Sequence, residues 1–145
     1  MTQEDKQLLI KDLCGRLPYS VWGLHRGEDL PLYVIDNSGA YMVLGYNAWF
    51  NLDTVDFKPY LRPMSSMTDE EKKTFNKYIG GDNTNWYLFD DNLRLAHGKS
   101  FYTIQCSFSL MDKIINFLLV HHFDYHGLIE RGLAIEVTEE NNPYK

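Results

Sequence analysis

Basic charge is scarce in this 145-residue chain: Lys plus Arg number 14 against 20 Asp plus Glu, a net charge of −6 with His neutral. The acidity is spread along the chain, with 6 basic and 8 acidic residues up to Ser66, then 8 and 12 from Met67 on. Neither half carries the electrostatic footprint of a protein that grips a phosphate backbone, so nucleic acid is not an expected partner. Cysteine is also scarce. Cys14 and Cys106 stand far apart and form no CxxC or CxxH spacing, which excludes a disulfide scaffold and a cysteine-based zinc finger. One disulfide would suit a secreted domain of this size, but two free thiols packed as small hydrophobes in a reducing compartment are the expectation. Long apolar runs are missing too. The longest, Ile114 to Val120, is interrupted by Asn116 and is too short to span a bilayer. The start, Met1-Thr2-Gln3-Glu4-Asp5-Lys6, is polar and acidic where a secretory leader needs basic and then apolar residues. These absences predict a cytoplasmic protein with no membrane partner.

Hydrophobic residues make up 44% of the chain and aromatic residues 14%, which excludes a disordered composition. The length fits a single domain, 1–145, with a core large enough to need no metal or disulfide staple. There is no internal repeat and no low-complexity tract.

Thr2-Gln3-Glu4-Asp5 forms a capping-box pattern with Asp in the usual Glu position, and Leu9, Ile10, Leu13 and Leu17 recur at helical spacing before Pro18. A short N-terminal helix follows from that. Next come candidate strands at Val21–Leu24, Leu32–Ile35 and Tyr41–Tyr46, separated by turn residues at Arg26–Asp29 and Asp36–Gly39, with a less regular segment from Trp49 to Val55. Lys58–Met67, with Pro59 and Pro63, reads as an extended connector. Thr68-Asp69-Glu70-Glu71 is a capping box in its usual form, ahead of a helix that Gly80-Gly81 stops. Trp86–Phe89 is ambiguous between strand and buried turn. Phe101–Phe108 is rich in β-formers. Ser109 reads as the cap of a largely buried helix from Leu110 to about His122, and Leu133–Val137 as a last strand. The fold class is therefore α+β. It has an N-terminal helix, a small antiparallel β-region at about 19–57 with a barrel-like option, the connector at 58–67, and a helix-rich part at 68–145 packed with one or more later strands.

Three stretches, Lys11–Tyr19, Lys58–Thr68 and His121–Ile129 continuing through Gly132–Glu136, together resemble a family of short uncharacterised proteins of gut bacteria, many from prophage-like or other mobile regions. The quoted runs are KPYLRPMSSMT and HHFDYHGLI…GLAIE. The resemblance implies a mobile-element setting and brings no catalytic residue with it. Relatives often carry Arg where this chain has His126, which counts against a permanent cation or a metal ligand at that position.

His121, His122, Asp124 and His126 fall within six residues. A His122/His126 pair at i, i+4 could bind zinc with Asp124 if the helix continued, and a metal-dependent hydrolase is the corresponding reading. Phe123 stands where metalloproteases place Glu, and Gly127 argues for a helix end, so a structural histidine group is preferred. Asp124, Tyr125 and Arg131 are expected to fix the turn after the last helix. Cys106 and Cys14 read as core thiols rather than nucleophiles. Asp90-Asp91 and Asp82–Asn85 read as solvated loops, and Ser38 and Ser65-Ser66 lie in no nucleophile elbow. No phosphate-binding or dinucleotide glycine pattern occurs, and no cofactor is expected. Trp22, Tyr33, Tyr41, Tyr46, Trp49 and Phe50 crowd the β-region, while Leu32–Phe57 holds no Lys or Arg. Exposed on one face, they would suit a protein partner or self-association better than nucleic-acid bases. The expectation is a non-enzymatic interaction module. A nucleic-acid-associated small barrel and the metal-dependent hydrolase are the alternatives.

Overall fold

Our computed structural model describes the backbone of residues 1–79, 84–89, 92–97, 100–103 and 108–145, and the side chains of residues 1–75, 77 and 111–145. The first helix, α1 (Gln3–Arg16), begins where the sequence says it should: the Thr2 hydroxyl oxygen accepts the Asp5 N–H at 3.0 Å. Leu9, Ile10 and Leu13 bury its inner face. Pro18 turns the exit into a single 3-10 turn, Leu17–Tyr19.

Strands β1 (Trp22–His25) and β2 (Glu28–Ile35) form a tight hairpin. Its two loop residues, Arg26 and Gly27, both have positive φ (51° and 83°), the geometry that matches strand twist in a type I′ turn. The next turn is built by Asp36, whose Oδ1 accepts from the Ser38 and Ala40 N–H groups. It leads into β3 (Ala40–Val43), then β4 (Phe50–Asn51) and β5 (Phe57–Leu61). A 3-10 turn (Met64–Ser66) precedes α2 (Asp69–Ile79). Strands β6 (Thr84–Phe89), β7 (Asn92–His97) and β8 (Ser100–Thr103) follow, then α3 (Phe108–Val120) and β9 (Ile135–Glu136).

The architecture is α+β. The main sheet has the order β4-β3-β2-β1-β5-β9, antiparallel except for the parallel β5–β9 pair, and β6-β7-β8 form a separate antiparallel sheet. β4 and β9 lie at opposite edges, so the main sheet is open and not a barrel. Residues 58–67, read as a connector, instead begin inside β5, the strand next to the β9 edge of the sheet. Pro59 fits there because β9 pairs with β5 only at Tyr60 and Leu61, beyond the proline. Its partner is Gly23, where a Cβ would lie 2.4 Å from a Phe57 ring carbon and 2.8 Å from the Lys58 carbonyl oxygen, so only glycine admits this approach. The part read as helix-rich holds the three-stranded sheet as well. Ser109 lies inside α3, and Met111 on that helix is exposed.

The main core lies between α1 and the inner face of the sheet, where Leu9 and Leu13 meet Leu32, Tyr41, Val43, Phe57 and Leu61, closed by Leu128 and Leu133. A second cluster joins Phe75 of α2 with Ile114, Phe117 and Leu118 of α3 and with Met67 and Phe123. The second capping box forms as written: the Glu71 N–H reaches the Thr68 hydroxyl and the Glu71 carboxylate receives the Thr68 N–H. No helix of the described residues is long and apolar enough to cross a membrane.

Candidate functional site

Two places in this fold concentrate chemistry. The first is buried. Asp12 and Arg16 are one turn apart on the leucine-bearing face of α1, at 0% and 1% exposure. Arg16 grips the carboxylate with Nε at 2.6 Å and Nη2 at 3.0 Å, and Nη2 also donates to the Phe123 carbonyl at 2.6 Å. His126 Nδ1 stands 2.7 Å from the same carboxylate. The Arg16 guanidinium lies over the Tyr125 ring, 5.4 Å from its centre. Burial pushes the Asp12 carboxyl upward, but His126 and Arg16 outweigh it and hold it below the usual carboxylate value. Arg16 Nη1 is buried with no hydrogen-bond partner.

This centre is where three distant stretches, Lys11–Tyr19, Lys58–Thr68 and His121–Ile129, meet. Arg16 of the first binds Phe123 of the third. Arg62 of the second donates its N–H to the His122 carbonyl, accepts from the Asp124 N–H, and lays its guanidinium over Phe123 at 4.3 Å. Asp12 and Arg16 escaped the sequence reading, although two charges at i, i+4 in phase with Leu9 and Leu13 were the available signal. The Asp12–His126 bond joins α1 to the turn after α3, 114 residues away in the chain.

The histidine group is spread over several partners. α3 ends at Val120, and His122 takes a left-handed φ of 61°, so His122 and His126 no longer share a helical face. Each candidate ligand is committed elsewhere. His122 stacks on Tyr144, and Asp124 accepts the Leu128 and Ile129 N–H groups at 2.8 and 2.9 Å. His126 binds Asp12, and His121 approaches Glu71 at 3.3 Å. Among the described residues no group of three or more His, Cys, Asp or Glu is placed to hold a metal ion. Asp124 does fix the turn, as expected, whereas Arg131 pairs with Asp5 on α1. Cys14 is exposed rather than buried, because helical phase turns Leu13 to the core in its place. Partial shielding and Asp36 push its thiol upward, away from an activated nucleophile. Cys106 and Asp90-Asp91 lie outside the described residues.

The second place is the outer edge made by β2, β3 and β4. Tyr33 is 66% exposed, Leu44 59%, Trp49 58% and Tyr46 36%. Tyr33 stands at the bulge between Leu32 and Val34, where the register with β3 shifts and throws a side chain outward. Tyr46 is held by its hydroxyl to Glu28 at 2.9 Å. The ring of His25, fully buried, lies edge-on to Phe50 at 4.5 Å and near Tyr46 at 5.7 Å. His25 Nδ1 meets the Tyr41 hydroxyl, which donates to Val55 O, and His25 Nε2 has no partner. Burial and then Arg26 hold this imidazole below its ordinary pKa. Tyr41 is therefore core at 0% exposure and drops out of the predicted surface set, its hydroxyl pushed by burial to about 12. Trp22 is half-buried on β1, beside Tyr144 and apart from the edge. Compared with known proteins, the chain matches no family model, no curated protein and no solved structure.

Proposed function

We propose that this chain is a non-enzymatic protein-interaction module of a phage-like or mobile element, and that the β2–β3–β4 edge is its docking surface. One observation carries the reading. Of the seven large hydrophobic residues exposed among the described residues, four, Tyr33, Leu44, Tyr46 and Trp49, come from this one edge. Tyr and Trp supply contact area at low entropic cost and dominate binding hot spots. The occupant is a second protein species with an apolar, basic surface. Residues 27–57 hold five carboxylates, at Glu28, Asp29, Asp36, Asp53 and Asp56, against Lys6 on Asp53 and Arg26 over Phe50, a net acidic balance that disfavours a nucleic-acid backbone and a second copy of the same edge. The resemblance of the three buried-centre stretches to mobile-region proteins supports the setting.

A photo-crosslinking residue at Trp49, with Lys11 on the far side of α1 as control, tests this in the producing cell. A discrete protein adduct from position 49 and none from position 11 is expected, lost when Tyr33 is changed to Ser. A nucleic-acid adduct, an adduct with a second copy, or equal labelling from both positions would overturn it.

A further inference from the structure

The ladder between β1 and β5 pairs His25 with Phe57, Leu24 with Lys58 and Gly23 with Pro59. One further step would pair Trp22 with Tyr60, and there the ladder is opened. The hydroxyl of Tyr144 stands in the gap. It accepts from the Trp22 N–H at 3.2 Å and donates to the Tyr60 carbonyl oxygen at 2.9 Å, with the Trp22 carbonyl at 3.5 Å as a second acceptor. The Tyr144 ring lies flat on His122, centres 3.5 Å apart and planes 12° from parallel. His122 is held in place by its own backbone, whose carbonyl receives the Arg62 N–H at 2.8 Å and whose N–H reaches Leu119 O at 3.1 Å. Burial, with Arg16, His121 and Arg62 nearby, brings its imidazole down to about 4, so the stacking face is neutral at ordinary pH.

Every part of a tyrosyl side chain thus has a counterpart: a flat face for the ring, a donor and an acceptor for the hydroxyl. The segment that delivers it is organised by its own short turns. Asn141 Oδ1 receives the Thr138 N–H, Asn141 Nδ2 donates to Glu136 O, and Asn142 Oδ1 receives the Tyr144 N–H. Thr138, Glu139 and Glu140 are exposed. The anchor is Tyr144 itself.

We propose that the slot between Trp22, Tyr60 and His122 is a phenol-recognition site, filled in cis by Tyr144 and able to take a tyrosyl ring supplied in trans by another chain. It is separate from the aromatic edge and does not rest on the protein-docking reading. The hydroxyl decides specificity, because a ring without it leaves the Trp22 N–H and Tyr60 carbonyl unpaired inside the sheet, which is costlier than losing an exposed contact.

The test uses the full chain with Tyr144→Ala and follows the Trp22 backbone amide by NMR. The probes are p-cresol, toluene, and the peptide of residues 139–145 with Tyr or Phe at its sixth position. Saturable binding of p-cresol and of the Tyr peptide is expected, with toluene and the Phe peptide weaker by about ten-fold or more. The unaltered chain, its slot filled, should bind none of them. No saturable shift with p-cresol, or equal binding of toluene, would overturn the proposal. Should Tyr144→Ala fail to fold, Tyr144→Phe keeps the ring and removes only the bridge. Its Trp22 amide should then exchange about ten-fold faster than in the unaltered chain, and an unchanged rate would refute the recognition of the hydroxyl.

Discussion

Arg16→Met should be among the most damaging single changes in this chain. Arg16 supplies two of the hydrogen bonds to Asp12, a carboxylate with 0% exposure, and a third to Phe123 O. Methionine keeps an unbranched apolar stem but leaves the carboxylate buried with His126 as its remaining side-chain partner. Breaking a buried ion pair from one side costs about 3–5 kcal/mol, a large part of the roughly 5–15 kcal/mol that holds a typical domain together. At an m-value of about 2 kcal/mol/M, the urea midpoint should fall by about 2 M at pH 7, read by tryptophan fluorescence. Asp12→Leu combined with Arg16→Met removes both charges and should recover most of that loss, since apolar replacements of a buried pair are often neutral or stabilising. The pH dependence has a definite sign. The folded Asp12 carboxyl lies below its unfolded value of about 3.9, so its contribution is present above that pH and is lost as pH falls through the folded value. The gap between the unaltered chain and Arg16→Met should therefore narrow on strong acidification. A loss under about 1 kcal/mol, or a double variant no more stable than Arg16→Met, would refute the reasoning.

Gly23→Ala puts a Cβ 2.4 Å from the Phe57 ring and should cost about 1–3 kcal/mol, partly restored by Phe57→Leu, in thermal unfolding. The folded His122 imidazole, at about 4, lies below the unfolded value of about 6.5. Its stabilisation is complete above the unfolded value and lost as pH falls towards 4, so His122→Phe should flatten the stability–pH curve in that window. Glu71 caps the Thr68 N–H and takes both Arg62 terminal nitrogens, and Arg62 is the main reason its carboxyl drops to about 2. Glu71→Ala should lower stability by about 1–2 kcal/mol at neutral pH, and acidification below the usual Glu value should shrink that difference.

Local rules read much of the chain correctly. The Thr2 cap, the Thr68–Glu71 capping box and the turn at Asp36 each depend on contacts within four residues and form where the sequence places them, and the turn read at Arg26–Asp29 closes on Arg26 and Gly27, with Glu28 and Asp29 already in β2. The reading failed where distant partners decide. Two prolines made 58–67 look like a connector, yet Pro59 sits in β5 because β9 pairs with that strand only beyond it, at Tyr60 and Leu61. The sequence placed the helix end near His122 but not the partners beyond it: His122 turns left-handed and its carbonyl receives the Arg62 N–H from a distant strand end.

The α+β class, the Thr2 and Thr68 caps and the turns near Arg26 and Asp36 were legible in the residue order, because they rest on periodicity and on side chains bonding to their own neighbourhood. Folding alone buries Asp12 and Arg16 together with His126, makes Tyr41 core while Tyr33 and Trp49 stand outside, and brings Tyr144 into the β1–β5 ladder. Separation along the chain explains the difference. The bonds from Asp12 to His126 and from Trp22 to Tyr144 join residues 114 and 122 positions apart, and no local pattern encodes which of many polar groups will meet across such a span.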